Sequence, residues 1–184
     1  MNQSSISQSQ SLVKQELRKI FQMLHERTTS IEEVEPRLVE ILIEEPQLFK
    51  EFPIQTESLC LTAVTKDWTL LPYVRIQTKA ICLAAVRTHG LALAHARKQS
   101  PEMCQLAISQ HPEAIQYVKR QTKTLCLQAI EQDPWVLSLI RFQHKDICLA
   151  AYLKDPNVLP LIIRDKHKKY CLNYIETPSM NESI

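Results

Sequence analysis

The chain has 184 residues, 45% of them apolar and 23% charged, with a formal net charge of +2; this balance describes one globular domain or two small ones with enough apolar surface for a core, and argues against wholesale disorder. One glycine, Gly90, against ten prolines disfavours phosphate-cradling loops and dinucleotide turns, which need several backbone positions without a Cβ, and with them nucleotide-dependent catalysis. No apolar run exceeds seven residues, as in 147–153, well short of the ~20 that a membrane-spanning helix requires.

The six cysteines set the register for a reading in chain order. Cys60, Cys82, Cys104, Cys126 and Cys148 fall every 22 residues, and Cys171 follows after 23. Such spacing marks a tandem repeat rather than a disulfide framework or a zinc site. Before the repeats, residues 1–11 are Ser- and Gln-rich and read as a disordered polar tail with neither the basic start nor the apolar core of a secretory signal. A soluble cytoplasmic chain without a membrane span is therefore expected. Residues 12–28 place Leu12, Val13, Leu17, Ile20, Phe21 and Leu24 among charged residues, the pattern of an amphipathic helix capping the first repeat.

The helical repeats run over 33–176, with units starting near 33, 55, 77, 99, 121 and 143 and a partial one near 166. Five of them open on Gln55, Gln77, Gln99, Gln121 and Gln143 and read QTESLCLTAV, QTKAICLAAV, QSPEMCQLAI, QTKTLCLQAI and QHKDICLAAY. The unit at 33 has Leu38 at the cysteine position. In each unit a first helix is expected after an N-cap at Thr56, Thr78, Ser100 or Thr122, with Pro101 in its first position. Ala63, Ala85, Ala107, Ala129 and Ala151 recur at one place on that helix, where a small side chain lets neighbours approach. An Asp-Pro or His-Pro step, as at Asp133-Pro134, then starts a second helix of about seven residues, such as 135–141; alone it would be marginal, so the units fold only as a stack. Lys166, Lys168 and Lys169 precede a closing helix over 170–176, in which Tyr174 replaces the constant Ala, and 177–184 reads as a flexible tail. The fold class is thus expected to be an all-α solenoid of two-helix repeats with a helical cap at each end.

The pattern Q-T-x-x-[LI]-C-L-x-A-[VI], followed by D/H-P and a [YL]-[VI]-[RK] ending, resembles the tandem short helical repeat called domain of unknown function 4116, found in bacterial and giant-virus proteins. The resemblance covers residues 33–176 and departs from the pattern at Leu38, Trp68 and His144. It implies an α-helical repeat stack and, because the family includes effectors of intracellular bacteria, a chain delivered into a host cell. It implies no activity.

Candidate chemistry is sparse. The cysteine ladder reads as small buried side chains, because neighbouring helices lie roughly 9 Å apart while a disulfide needs Cα atoms within about 7 Å and zinc needs four ligands around one centre. His144 and Cys148 make one i, i+4 pair without a second, and His144 is read as a helix cap. Neither a metal nor a cofactor is expected, and no histidine is tied to a nucleophile. The residues with a binding pattern are Arg75, Arg97, Lys119 and Arg141, 22 residues apart at the end of the second helix, with Arg120 and Arg164 beside them. Cations there complement the helix dipole, or form a basic edge for an acidic surface. Trp68 and Trp135, at the start of the second helix, are buried anchors or, if exposed, interface hot spots. The resulting expectation is a non-enzymatic scaffold that binds a protein partner through a groove or its basic edge, with a phosphate- or nucleic-acid-binding module as the alternative.

Overall fold

A computed structural model describes residues 3–176, and the side chains of residues 11–174. Its helices are α1 (Gln3–His25), α2 (Ile31–Glu44), α3 (Glu57–Lys66), α4 (Lys79–Thr88), α5 (Pro101–Gln110), α6 (Lys123–Gln132), α7 (Lys145–Lys154) and α8 (Asp165–Glu176). Six 3-10 helices follow α2 to α7: Pro46–Glu51, Trp68–Tyr73, Gly90–His95, Pro112–Tyr117, Pro134–Leu139 and Pro156–Leu161. There is no β-strand among the described residues, and the chain is an all-α solenoid of tandem helical repeats. It divides into two compact units, Met1–Thr88 and His89–Ile184.

Local chemistry sets each helix. The hydroxyls of Thr56, Thr78, Ser100 and Thr122 accept from the backbone N–H three residues on, at 3.2 to 3.3 Å, so each α-helix begins with one otherwise unpaired donor satisfied. The helices end where Asp67, His111, Asp133 and Asp155 take extended backbone, their N–H groups still bonded to the carbonyls of Ala63, Ala107, Ala129 and Ala151. The same aspartates start the next element: Asp67, Asp133 and Asp155 each accept from the N–H two residues later at 2.9 Å. The histidine at this step behaves differently in two repeats. His89 accepts from Leu91 N–H at 3.3 Å, whereas His111 makes no such cap, stacks on His89 with ring centroids 4.2 Å apart and meets Glu113 at 3.4 Å.

The second element of each repeat is a six-residue 3-10 helix, not the seven-residue helix expected from the pattern. Its closing bonds span three residues, as in Val74 N–H to Leu71 and Ile140 N–H to Leu137, both 3.2 Å. Val74, Ala96, Val118, Ile140 and Ile162 then turn extended. With only six residues available, the tighter i→i+3 ladder closes bonds within the segment. It also aims Val136, Leu137 and Ile140 inward, as the sequence pattern required.

In the unit Met1–Thr88, α3 packs against α2 and α4, with the 3-10 helices Pro46–Glu51 and Trp68–Tyr73 side by side. Leu38 is fully buried, as are Phe49, Leu59, Ala63, Leu70 and Ala85. Helix α1 covers α2 through buried Leu17 and Ile20, an edge-on Phe21–Phe52 contact at 5.3 Å and a bidentate Arg37–Glu16 pair at 2.7 and 2.9 Å. This is a capping helix, but it starts at Gln3 and ends at His25 rather than spanning 12–28. Residues 3–11 contain no Gly or Pro to stop the helix, so it continues into the segment read as a disordered tail. Met1, Asn2 and the tail 177–184 lie outside the described residues.

In the unit His89–Ile184, α6 packs on α5 and α7, and α7 on α8. Helix α8 begins at Asp165, so Lys166, Lys168 and Lys169 lie within it rather than before it. The Arg164 carbonyl accepts from both His167 and Lys168 N–H, at 2.8 and 3.2 Å, which winds the lysine segment into the first turn. Ala107, Ala129 and Ala151 have no exposed surface. Gly90 is a point of close approach: a Cβ there would stand 2.6 Å from the Ala107 carbonyl oxygen, a backbone atom. Ala107→Leu is therefore expected to destabilise by ~1–3 kcal/mol through overpacking, and Gly90→Ala to act in the same direction. Gln105→Leu, at an exposed position of α5, should leave the urea midpoint nearly unchanged.

Candidate functional site: the clefts between successive repeats

The repeat-opening glutamines organise the surface on which any partner must land. In the unit His89–Ile184, Gln99, Gln121 and Gln143 have the same bonds. Each amide N–H2 donates to a carbonyl six residues back and to one 18 residues ahead: Leu93 and Tyr117 for Gln99, Ile115 and Leu139 for Gln121, Leu137 and Leu161 for Gln143, at 2.9 to 3.2 Å. Each Oε1 accepts at 2.9 Å from the N–H 20 residues ahead, on Lys119, Arg141 and Ile163. In the unit Met1–Thr88, Gln55 bonds the Tyr73 carbonyl at 3.0 Å and Arg75 N–H at 2.9 Å. One side chain thus ties the end of one 3-10 helix to the end of the next. The pattern displayed these glutamines only as register marks, since no single sequence shows that their partners are main-chain groups.

The cysteines lie beneath this clamp. All six are buried free thiols, and Cys104 Sγ is 3.9 Å from Gln99 Oε1, as Cys82 Sγ is 3.7 Å from Gln77 Oε1. Burial pushes the Cys60 thiol up to about 11, with help from the Glu57 charge, and burial likewise raises Cys148 to about 11. Such thiols carry little thiolate at neutral pH and are poor nucleophiles. The His144–Cys148 pair does not form. His144 Nδ1 faces Asp146 N–H at 3.5 Å as a weak cap, and Cys148 Sγ instead lies 3.8 Å from Nδ1 of buried His167. Among the described residues no three of His, Cys, Asp and Glu converge in a group able to hold a metal.

The basic column has a job that neither sequence reading anticipated. Arg75 Nη1 donates to the Pro53 carbonyl at 2.6 Å, Lys119 Nζ to the Arg97 carbonyl and Arg141 Nη2 to the Val118 carbonyl. The heads of Arg75, Lys119 and Arg141 therefore turn back by about one repeat onto main-chain oxygens. A cation beside a helix end is worth a few tenths to ~1 kcal/mol, and an exposed charge-assisted bond to a carbonyl is, after solvent screening, of the same order, so these heads serve the stack in both ways. Arg97 itself is exposed and lends its carbonyl to Lys119. Arg120 and Arg164, one position further on, are exposed, and no carboxylate pairs with either among the described residues.

Between the N-terminal ends of successive α-helices lie open clefts with the same architecture. The α3/α4 cleft measures about 360 Å³ and includes Glu57, Arg75 and Ile76. The α5/α6 cleft, about 530 Å³, takes Lys119 and Arg120. The α7/α8 cleft, about 550 Å³, gathers Arg141, Lys145, Arg164 and Lys166 with Phe142 and Ile163. Neither tryptophan lines these three clefts. Trp68 is half-buried; Trp135 is exposed, not a buried anchor, and its indole N–H donates to Asp155 Oδ2 at 3.0 Å.

Removing the clamp should be costly. Gln121→Ala leaves two carbonyls and one N–H without partners and is expected to lower stability by ~2–4 kcal/mol in urea denaturation. Gln121→Glu should fail similarly, because a carboxylate cannot donate to Ile115 and Leu139. A pH dependence follows from His167, whose imidazole is held below the ordinary 6.5 by burial and then by the charges of Lys166, Arg164 and His144. The folded state favours neutral His167, so its contribution is complete above about 6.5 and is lost as acid protonates the unfolded chain first. The thermal midpoint should fall from about pH 7 to about pH 5, and His167→Gln should flatten that part of the profile.

Compared with protein-family models, curated proteins and solved structures, the chain has no match in any of the three.

Proposed function

We propose that the chain is a non-enzymatic helical-repeat scaffold that recruits a protein partner with an acidic surface. The supporting observation is the recurrence of one open cleft architecture whose variable rim positions carry exposed cations and apolar side chains. Solenoids bind through extended surfaces of this type, and specificity then resides in the side chains that differ between repeats. A nucleic-acid role has weaker support. Exposed aromatics do stand near the basic edge, at Tyr73, Tyr117 and Phe142, but Arg75, Lys119 and Arg141 are bonded to the protein's own carbonyls, which weakens a continuous cationic track for a strand. The resemblance to domain of unknown function 4116 suggests a bacterial effector acting in a host cell, a reading that rests on the repeat pattern alone. No helix among the described residues is long and apolar enough to cross a membrane.

The test separates recruitment from folding. Arg75, Lys119 and Arg141 are unsuitable for charge reversal because their heads also link repeats. Lys98→Glu, Arg120→Glu and Arg164→Glu together should preserve the helical circular dichroism and melting curve, since exposed charges contribute little to stability. Against a partner captured from host or bacterial lysate, the triple variant should associate more slowly, with a weaker salt dependence. Unchanged association with an intact fold would overturn the basic-edge reading.

A further inference from the structure

The clefts share a plan but differ in charge. The α3/α4 cleft sets Arg75 against Glu57, and the α5/α6 cleft carries two cations, Lys119 and Arg120. The α7/α8 cleft carries four, Arg141, Lys145, Arg164 and Lys166, and no carboxylate lines it. The nearest acids are engaged: Asp146 pairs with Lys123, with His144 at 3.4 Å, and Asp165 lies 3.7 Å from Lys168. The hydrogen bond from Lys123 holds the Asp146 carboxyl below its usual range, with smaller contributions from His144 and Lys145 at the cleft edge, so that acid is charged and shared with Lys123. Four like charges in one concavity repel one another and attract an anion.

Apolar surface accompanies that charge. Phe142 is 82% exposed and Ile163 73% exposed, the former in the repeat position held by Lys98 and Arg120 and the latter in the place of Arg97, Lys119 and Arg141. A large apolar side chain left in water at two rim positions of the most cationic cleft is the combination expected of an interaction site. The Gln143 amide in the floor is spent on Leu137, Leu161 and Ile163, so it is not available to a ligand. Lys145 is held toward α8 by the Tyr170 ring, 5.2 Å from its Nζ.

We propose that the α7/α8 cleft docks a short acidic segment of the partner protein, its carboxylates on Arg164, Lys166 and Lys145, with Arg141, bonded back to Val118, adding positive charge at the rim, and an adjacent aliphatic or aromatic side chain against Phe142 and Ile163. The proposal rests on the scaffold reading and names the chemistry the scaffold recognises. A peptide fits better than a nucleic acid strand because the charge is concentrated in one cleft and joined to aliphatic as well as aromatic surface, whereas a strand requires a continuous cationic track.

The probe is a fluorescein-labelled peptide alternating Glu and Leu, titrated against the full chain by anisotropy at low and high salt. A second peptide with Ser for Leu and a single-stranded oligothymidine of equal charge serve as comparisons. The acidic-apolar peptide should bind, and Arg164→Glu/Lys166→Glu should weaken it ~10-fold or more, as for charges in direct opposition. Phe142→Ser should weaken it ~5-fold or more, while Lys98→Glu/Arg120→Glu should have a small effect; melting curves verify that each variant is folded. Equal losses from both charge-reversal pairs would assign binding to the whole edge, overturning the cleft but sparing the scaffold. Equal or tighter binding of the Ser peptide or the oligothymidine would overturn the peptide assignment in favour of a general polyanion site. Absence of peptide binding would also overturn the cleft proposal, while the scaffold reading stands or falls with the captured partner and the triple variant.

Discussion

Within the unit His89–Ile184, one side-chain amide per repeat ties successive 3-10 helices, and the helix packing of that unit is built around this tie. A glutamine amide supplies one acceptor and two donors. The junction of two 3-10 helix ends presents two carbonyls and one N–H, so Gln99, Gln121 and Gln143 complete it without remainder. Glutamate has no donor, asparagine is a methylene short, and a nonpolar residue would leave three main-chain groups, several of them part-buried, without their partners, at a cost of up to about 1–3 kcal/mol for each that is sheltered from water. This is why Gln recurs at this position in Gln99, Gln121 and Gln143, whose repeats end their 3-10 helices in extended backbone.

The clamp explains the residues around it. It needs a small neighbour beneath its oxygen, and cysteine supplies low volume, apolar character and a weak S–H donor. Bonds reaching 18 and 20 residues forward fix the translation between repeats, which brings α-helices close enough that Ala is required at their contact. The Gly90 backbone is a tighter instance of the same constraint, since the Ala107 carbonyl occupies the space of its Cβ. Cysteine, alanine and glutamine are thus three parts of one packing solution rather than separate signals.

Because these positions are committed to the stack, functional variation is confined to the rim. The residue at the end of each 3-10 segment is Arg75, Arg97, Lys119, Arg141 or Ile163, and the next is Ile76, Lys98, Arg120, Phe142 or Arg164. The first position splits its duty, since most of its cations bond back to the preceding repeat. The second is unencumbered in Arg120 and Arg164, and its change to Phe142 is what gives the α7/α8 cleft an apolar lip. Clefts of common geometry therefore acquire different chemistry by substitution at two positions per repeat.

The sequence by itself determined the repeat length, the N-caps, the buried Cys and Ala faces and the capping role of α1, because each is set by local bonding or by periodicity repeated several times. Only the tertiary structure decided the rest. The second element became a 3-10 helix because three-residue bonds close its short segment from within, while glutamines opening the repeats take up carbonyls at its end. The His144–Cys148 pair gave way to Cys148 facing His167 because α8 approaches the buried side of α7. Arg75, Lys119 and Arg141 turned onto carbonyls about one repeat behind, an outcome no helix-end rule contains, and Trp135 stayed in water while its indole N–H reached Asp155. Partners of this kind lie about 20 residues away and are main-chain atoms as often as side chains, so they leave no mark in a sequence until packing sets the distance.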